Sequence, residues 1–417
     1  MVPCKTIFFL LLFLILGVTV PITTKGFGIL THEAIIDASW DKLIVPLLKK
    51  KFPGSTPEQL KEAHAYVYGG SIIPDIGYHP LGSILFTHLF HYVRTGDFIE
   101  ALISESDSLN EYAFAIGALC HYIADSYGHP DGTNQAVPLL FPKLKKKYGE
   151  TVNYEQAPMK HVRIEYGFDV LQTAKGKYDR DSYHNFIDFK MSEPVLERAF
   201  LKTYGLKLND VFNSFSISVE TFRFTVKSII PEMTRDAWKI RKSAINKLNP
   251  LATEENFYYK VKRKDYNKEY GRKFSLKSAF LSVILGVLPK IGPLAMFRFK
   301  EPTPEVEALY NKSFETVLKN YASSLNKLLA GENSFQNINL DTGHKITRDE
   351  YKHSNETYEK LLLKLKKNNF EHVDAALRKN IVTFYDRPVG SPPLPEDERV
   401  KEDDKLGRAL NELRTAR

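Results

Sequence analysis

The sequence predicts an all-α protein, a multi-helix bundle with a helical C-terminal extension. Three observations predict it. Apolar residues recur at three- and four-residue intervals over long stretches, among them NDVFNSFSISVETFRFTVKSIIPEMTRDAWKIRKSAINKL at 209–248. That spacing gathers one buried stripe along a helix. Alternating runs that would mark half-buried strands are scarce. There is also no repeat at a solenoid period and no glycine-rich phosphate loop, which argues against repeat arrays and nucleotide-binding folds.

In chain order, residues 1–26 come first. Lys5 precedes a 14-residue apolar run, IFFLLLFLILGVTV at 7–20. A helix needs about 20 apolar residues to span a bilayer, so this run reads as the core of a secretory signal. The small residues Thr24 and Gly26 allow cleavage just before Phe27. The reading is a secreted or periplasmic protein, with an uncleaved N-terminal membrane anchor as the alternative. Cys4 lies ahead of the apolar run and so is not a lipid-bearing cysteine. Of the two cysteines only Cys120 would then remain, which excludes an internal disulfide and leaves core packing and bound metal to stabilise the chain. Cys120, within an apolar helix, reads as a small buried residue and not as a ligand.

Residues 27–248 hold the chemistry. The helix expected from Leu109 to Pro130 carries His121, Asp125 and His129 four residues apart. At 3.6 residues per turn, two imidazoles and a carboxylate then stack on one face. Tyr112, Ala113, Ile116, Leu119, Cys120 and Ile123 bury that helix, where three polar side chains must be coordinated or hydrogen-bonded to one another. A second pair, His161 and Glu165 in PMKHVRIEYGFDVL, repeats the four-residue spacing. Upstream lie His32 in GILTHEAI, Asp75 in SIIPDIGYHP, and His88 with His91 in FTHLFHYVRTGDF. So many imidazoles and carboxylates, with almost no cysteine, suit zinc in a hydrolytic site better than a structural thiolate site.

The remaining segments carry less. Residues 249–275, rich in Tyr and Lys after Asn249-Pro250, mark a boundary before a helical C-terminal region taken as 249–386. Within it, SAFLSVILGVLPKIGPLAMF is too short to span a bilayer as a helix, and reads as core or as an apolar hairpin docking at a lipid surface. Residues 387–417, beginning RPVGSPPLPEDERVKEDDK, read as a flexible charged tail. The net charge of +8 and pI near 9 favour phosphate-bearing partners without choosing between nucleic acid and anionic lipid. His64, His79, His184, His344, His353 and His372 read as ordinary residues, with His79 a possible partner of a ligand because it follows Asp75 by four.

The ligand series resembles the zinc-dependent phospholipase C family. That family shares its helical fold with fungal single-strand nucleases and with the catalytic domain of glycosylphosphatidylinositol-specific phospholipase D. Its order of an N-terminal aromatic residue, His, Asp, His, HxxxD, His and Hxxx(E/D) is matched by Phe27, His32, Asp75, His88, His121 with Asp125, His129, and His161 with Glu165. The resemblance covers roughly residues 27 to 245. It departs at Phe27, where the family usually has tryptophan; ligation there would use the free α-amine and carbonyl and so requires cleavage just before it. His129 is preferred to Asp131 for its position. His88 is preferred to His91 because its Thr-His pair resembles the phospholipase D relative.

The resemblance implies three zinc ions (Zn2+). Asp125 would bridge two, one also held by Asp75, His88 and His121 and the other by Phe27 and His32. His129, His161 and Glu165 would hold the third. It implies phosphodiester hydrolysis by a metal-bound hydroxide, with Asp75 orienting or deprotonating the attacking water. The implied substrate is a phospholipid, reached through peripheral membrane contact and with no obligate protein partner. An exported nuclease or nucleotidase on the same metals, or a non-catalytic zinc-stabilised envelope protein, are the alternatives.

Overall fold

The computed structural model describes residues 28–79, 81–178, 186–224, scattered positions between 226 and 254, Lys300, and residues 302–386 and 405–415. The signal segment, Phe27, the apolar segment near 278–297 and the first part of the charged tail lie outside the described residues. Among the described residues every regular element is a helix, apart from an isolated bridge between Ile338 and Lys345. None of these helices is long and apolar enough to cross a membrane.

The N-terminal part begins with α1 (Ile29–Ser39), which runs through a wide turn at Trp40–Ile44 into α2 (Val45–Lys51). Helix α3 (Pro57–Ile72) starts at a capping box. Thr56 Oγ1 accepts from the Gln59 amide, and Gln59 Oε1 accepts from the Thr56 amide. It tightens at its end into a 3-10 turn, Ile73–Tyr78, then α4 (Ile84–Tyr92) and α5 (Thr95–Ser104) follow. Helix α6 (Leu109–Gly128), capped by Ser108, is buried over nearly its whole length, and opens into a π-turn at His129–Thr133. Such turns widen the helix by one residue and often accompany functional sites. Beyond it come α7 (Asn134–Leu140), α8 (Pro142–Tyr148), α9 (Pro158–Ala174), α10 (Glu193–Tyr204), α11 (Leu208–Val211) and α12 (Phe215–Phe224).

Helix α6 is the axis of the molecule, and glycines bring α3 unusually close to it. A Cβ on Gly70 would stand 1.9 Å from the Phe114 carbonyl oxygen, and one on Gly117 would stand 2.0 Å from that of Val67. Only hydrogen fits at either place. The close approach carries the end of α3, and with it the Ser71 carbonyl, up to His121.

The C-terminal part packs on the same axis. Helix α13 (Pro304–Leu329) buries Val306, Tyr310, Val317, Tyr321 and Leu325 on one face, and the Tyr321 hydroxyl donates to the Ile116 carbonyl at 3.0 Å. Helices α14 (Lys352–Lys367), α15 (Ala375–Tyr385) and α16 (Leu406–Thr415) follow. Their apolar residues join those of α1–α12 in one continuous core. Helix α16 corrects the expectation of an unstructured tail over 387–417. Leu406, Ala409, Leu410 and Leu413 share one face and pack into the core, while Lys366–Glu412 and Arg414–Asp386 pairs flank it. Its apolar stripe is short enough to be hidden by the high charge of the surrounding sequence.

Candidate metal centre

The site is assembled where α1, α4, α6 and α9 converge, with the turn after α3. Every side chain in it is buried. From α1 comes His32, whose ring stacks on that of His121 with centroids 4.5 Å apart. Burial, with the neighbouring His121, drives the pKa of His32 down to about 3. It is therefore a neutral imidazole, and neither of its nitrogens has a hydrogen-bond partner.

Asp125 occupies the centre. Its carboxylate oxygens lie 3.6 Å from His32 Nε2, 3.3 Å from His91 Nε2, 3.2 Å from His121 Nε2 and 3.7 Å from His129 Nε2. Burial alone would raise its pKa, but the charge of His121 and hydrogen bonds from His121, His129 and His91 hold it well below the usual carboxylate range. His121 responds in kind. Burial disfavours its charged form, yet Asp125, then Asp75 and the Ser71 carbonyl, raise its pKa to about 9.

Backbone carbonyls set which nitrogen of each ring faces inward. His91 Nδ1 lies 2.7 Å from the Thr87 carbonyl and His121 Nδ1 lies 2.9 Å from that of Ser71. Each carbonyl accepts the Nδ1–H, so that Nε2 is the nitrogen turned to Asp125 and, when it carries no proton, the one whose lone pair can bind a metal; those two Nε2 atoms stand 3.3 Å apart. His161 is oriented the other way round. Its Nε2 donates to the Val152 carbonyl at 2.6 Å, so the lone pair sits on Nδ1.

Three groups of ligand atoms result, each drawn together within 4.8 Å: His32 with His121 and Asp125, Asp75 with His91 and His121, and His129 with His161 and Glu165. Both oxygens of Glu165 are buried without a hydrogen-bond partner. Burial, then the charges of Asp125, Asp75, Asp341 and Asp169, push its pKa well above the ordinary carboxylate range. Buried polar atoms left without hydrogen bonds in this way are costly unless a cation satisfies them. The donors are imidazole nitrogens and carboxylate oxygens, the set that zinc accepts in hydrolytic sites. Cys120, whose thiol is pushed up by burial and by Asp125, is no part of it.

The structure brings together His32, Asp75, His121, Asp125, His129, His161 and Glu165 of the expected ligands. It separates His88 from them. The histidine that α4 turns toward Asp75 and Asp125 is His91, with 3.7 Å between its Nε2 and Asp75 Oδ1. His88 instead packs beside Tyr92 and His353, with ring centroids 5.5 and 5.0 Å away. Asp131, in the π-turn, belongs to none of the groups. His79 stacks on Phe222 at 4.0 Å.

Two carboxylates escaped sequence reasoning. Asp169, one turn after Glu165 on α9, accepts from the Leu30 amide at 3.2 Å and from Thr31 Oγ1 at 2.8 Å. It thus satisfies the first turn of α1, which Gly28 cannot cap with a side chain, and anchors the helix that carries His32. Gly28 is required by that contact, since a Cβ there would stand 2.2 Å from Asp169 Oδ2. Burial raises the Asp169 pKa to about 7 against the pull of the Thr31 and Leu30 bonds. The Glu165-xxx-Asp169 spacing was a signal that could have been read. Asp341, whose Oδ1 is 3.3 Å from His129 Nδ1, lies in the loop after α13 and had no such signal.

Comparison with known proteins bears on the same residues. No curated protein and no solved structure matches the chain. The family model described as zinc dependent phospholipase C matches residues 31–214, which span the helices that supply all three groups. Through residues 31–214 the chain is similar to the zinc dependent phospholipase C family.

Proposed function

We propose that this protein is an exported, phospholipase C-like enzyme that hydrolyses phospholipid phosphodiesters at a cluster of three zinc ions. The observation that carries the reading is the Asp125 carboxylate buried among four imidazoles, with two further acids, Asp75 and Glu165, closing the flanking groups. His32, His91, His121, Asp75 and Asp125 would hold two ions, and His129, His161 and Glu165 the third. When bound there, zinc supplies Lewis acidity toward the phosphate oxygens and lowers the pKa of a coordinated water toward about 7.

The chain's own residues do the rest. Asp125 and the carbonyl-oriented imidazoles fix the ligand atoms before substrate arrives, so little reorganisation is needed during the reaction. Asp75 sits on the short turn after α3, beside His91 and at the edge of the cluster, and takes the role of orienting the attacking water and accepting its proton. Among the described residues no thiol joins the three groups, so the donors are imidazole nitrogens and carboxylate oxygens. The N-terminal apolar run supplies the export, and the basic net charge supports attraction to an anionic surface.

Asp75→Asn is the test. Hydrolysis of phosphatidylcholine vesicles, measured at saturating zinc and per zinc bound, should fall by at least about a hundredfold, with native helicity kept. Unchanged hydrolysis would remove Asp75 from its role. Wild-type turnover of single-stranded nucleic acid in place of the vesicles would replace the phospholipase reading with that of a nuclease.

A further inference from the structure

We propose that Asp341, supplied from beyond the matched family segment, is the positioning residue for His129, so that the C-terminal region completes the metal centre. The inference rests on the zinc reading above. His129 Nδ1 lies 3.3 Å from Asp341 Oδ1, and its Nε2 lies 3.7 Å from Asp125 Oδ2. The two nitrogens of one imidazole therefore face different carboxylates. His91, His121 and His161 are each oriented by a backbone carbonyl. His129 alone among the four has a carboxylate, in place of a carbonyl, beside its second nitrogen; a proton on Nδ1 would face Asp341 and leave the Nε2 lone pair for a metal.

Asp341 is built for that contact. Its other oxygen, Oδ2, accepts from the Tyr154 amide at 3.0 Å and from the Tyr351 hydroxyl at 2.5 Å, while Oδ1, which shares the Tyr154 amide at 3.4 Å, faces His129. Its backbone is equally constrained. The Asp341 and Thr342 amides donate to Asn339 Oδ1 in a tight turn, the Asp341 carbonyl accepts from Asn134 Nδ2 at 2.7 Å, and the Leu340 amide donates to the His91 carbonyl at 3.1 Å. Gly343 closes the turn at φ +73, where a Cβ would stand 3.2 Å from the Ser126 carbonyl oxygen. The strand of chain leading in is stapled to α5 by Asn337 with Asp97 and by Ile338 with Thr95. Both Tyr351 and the turn lie past residue 302, so the helices of the family segment do not form this arrangement by themselves.

The test is Asp341→Asn. The amide oxygen can keep the Tyr154 and Tyr351 bonds, which turns its NH2 toward His129 Nδ1. That nitrogen must then accept, the proton moves to Nε2, and the lone pair facing the cluster is lost. The measurement is zinc content and affinity by chelator competition, beside the far-UV circular dichroism of the full processed chain. We expect native helicity and zinc affinity at one site reduced about 10- to 100-fold. The double variant with His129→Ala should lose no more than His129→Ala alone. Tyr351→Phe, which removes one bond to Oδ2 and keeps the fold, should weaken the same site by a smaller factor and serves if Asp341→Asn does not fold. Wild-type affinity in both Asp341→Asn and Tyr351→Phe, or losses that add to those of His129→Ala, would overturn the proposal. A wild-type protein that binds no zinc would instead overturn the reading beneath it.

Discussion

Glu165→Gln should change the stability of this protein differently with and without metal. The side chain is fully buried, and neither oxygen has a hydrogen-bond partner. Burial and four neighbouring acids keep it protonated when no cation is present. Exchanging a neutral acid for a neutral amide of the same shape then costs little, within about 1 kcal/mol. With zinc the carboxylate is ionised and ligating, and the amide offers no charge. At free zinc a hundredfold above the dissociation constant, one bound ion stabilises the fold by about 2.7 kcal/mol, and the variant forfeits it. At roughly 1–2 °C per kcal/mol for a single core of this size, the melting temperature should drop by about 3–5 °C. Calorimetric scans of both proteins, in zinc and in chelator, with zinc content from elemental analysis, make the comparison. A gap that persists unchanged in chelator would refute the argument, because Glu165 would then be structural.

Three further outcomes follow from the same geometry. His91→Ala should remove about one zinc per chain, whereas His88→Ala should leave zinc content unchanged; elemental analysis of both decides between the two histidines. Gly70→Ala, which would place a methyl 1.9 Å from the Phe114 carbonyl, should destabilise by about 1–3 kcal/mol in denaturant melts, and should weaken zinc binding as Ser71 moves from His121. Zinc affinity should rise with pH, read by competition with a chromophoric chelator. His121, at about 9, and Glu165, raised well above the ordinary range, must both release protons to bind, so affinity increases up to about tenfold per pH unit for each proton and His121's share flattens above about 9. The sign is opposite for the metal-free fold. The stability from the raised His121 pKa is complete below 6.5 and is lost as the pH climbs through about 9. Zinc uptake independent of pH would show that these groups are not ligands.

What the sequence by itself determined is everything that helix periodicity controls. His121, Asp125 and His129 share a face because four-residue steps nearly close the 3.6-residue turn, and His161 with Glu165 obey the same geometry. The all-α class was legible for the same reason, as was the exclusion of Cys120 from the donor set. Where the outcome depended on how one helix rolls against another, local pattern was silent. His88 and His91 are three residues apart and point about 60° apart around α4. The packing of α4 within the core turns His91 inward and sends His88 to Tyr92 and His353. Asp169 and Asp341 are further from any local signal, since the partners that give them a role, Thr31 and His129, are 138 and 212 positions away in sequence. The helix at 406–415 hid within charged sequence, and only the packing of its apolar face on the core reveals it. Tertiary structure decided these points because each rests on contacts between distant segments, which burial selects and a local periodicity cannot encode.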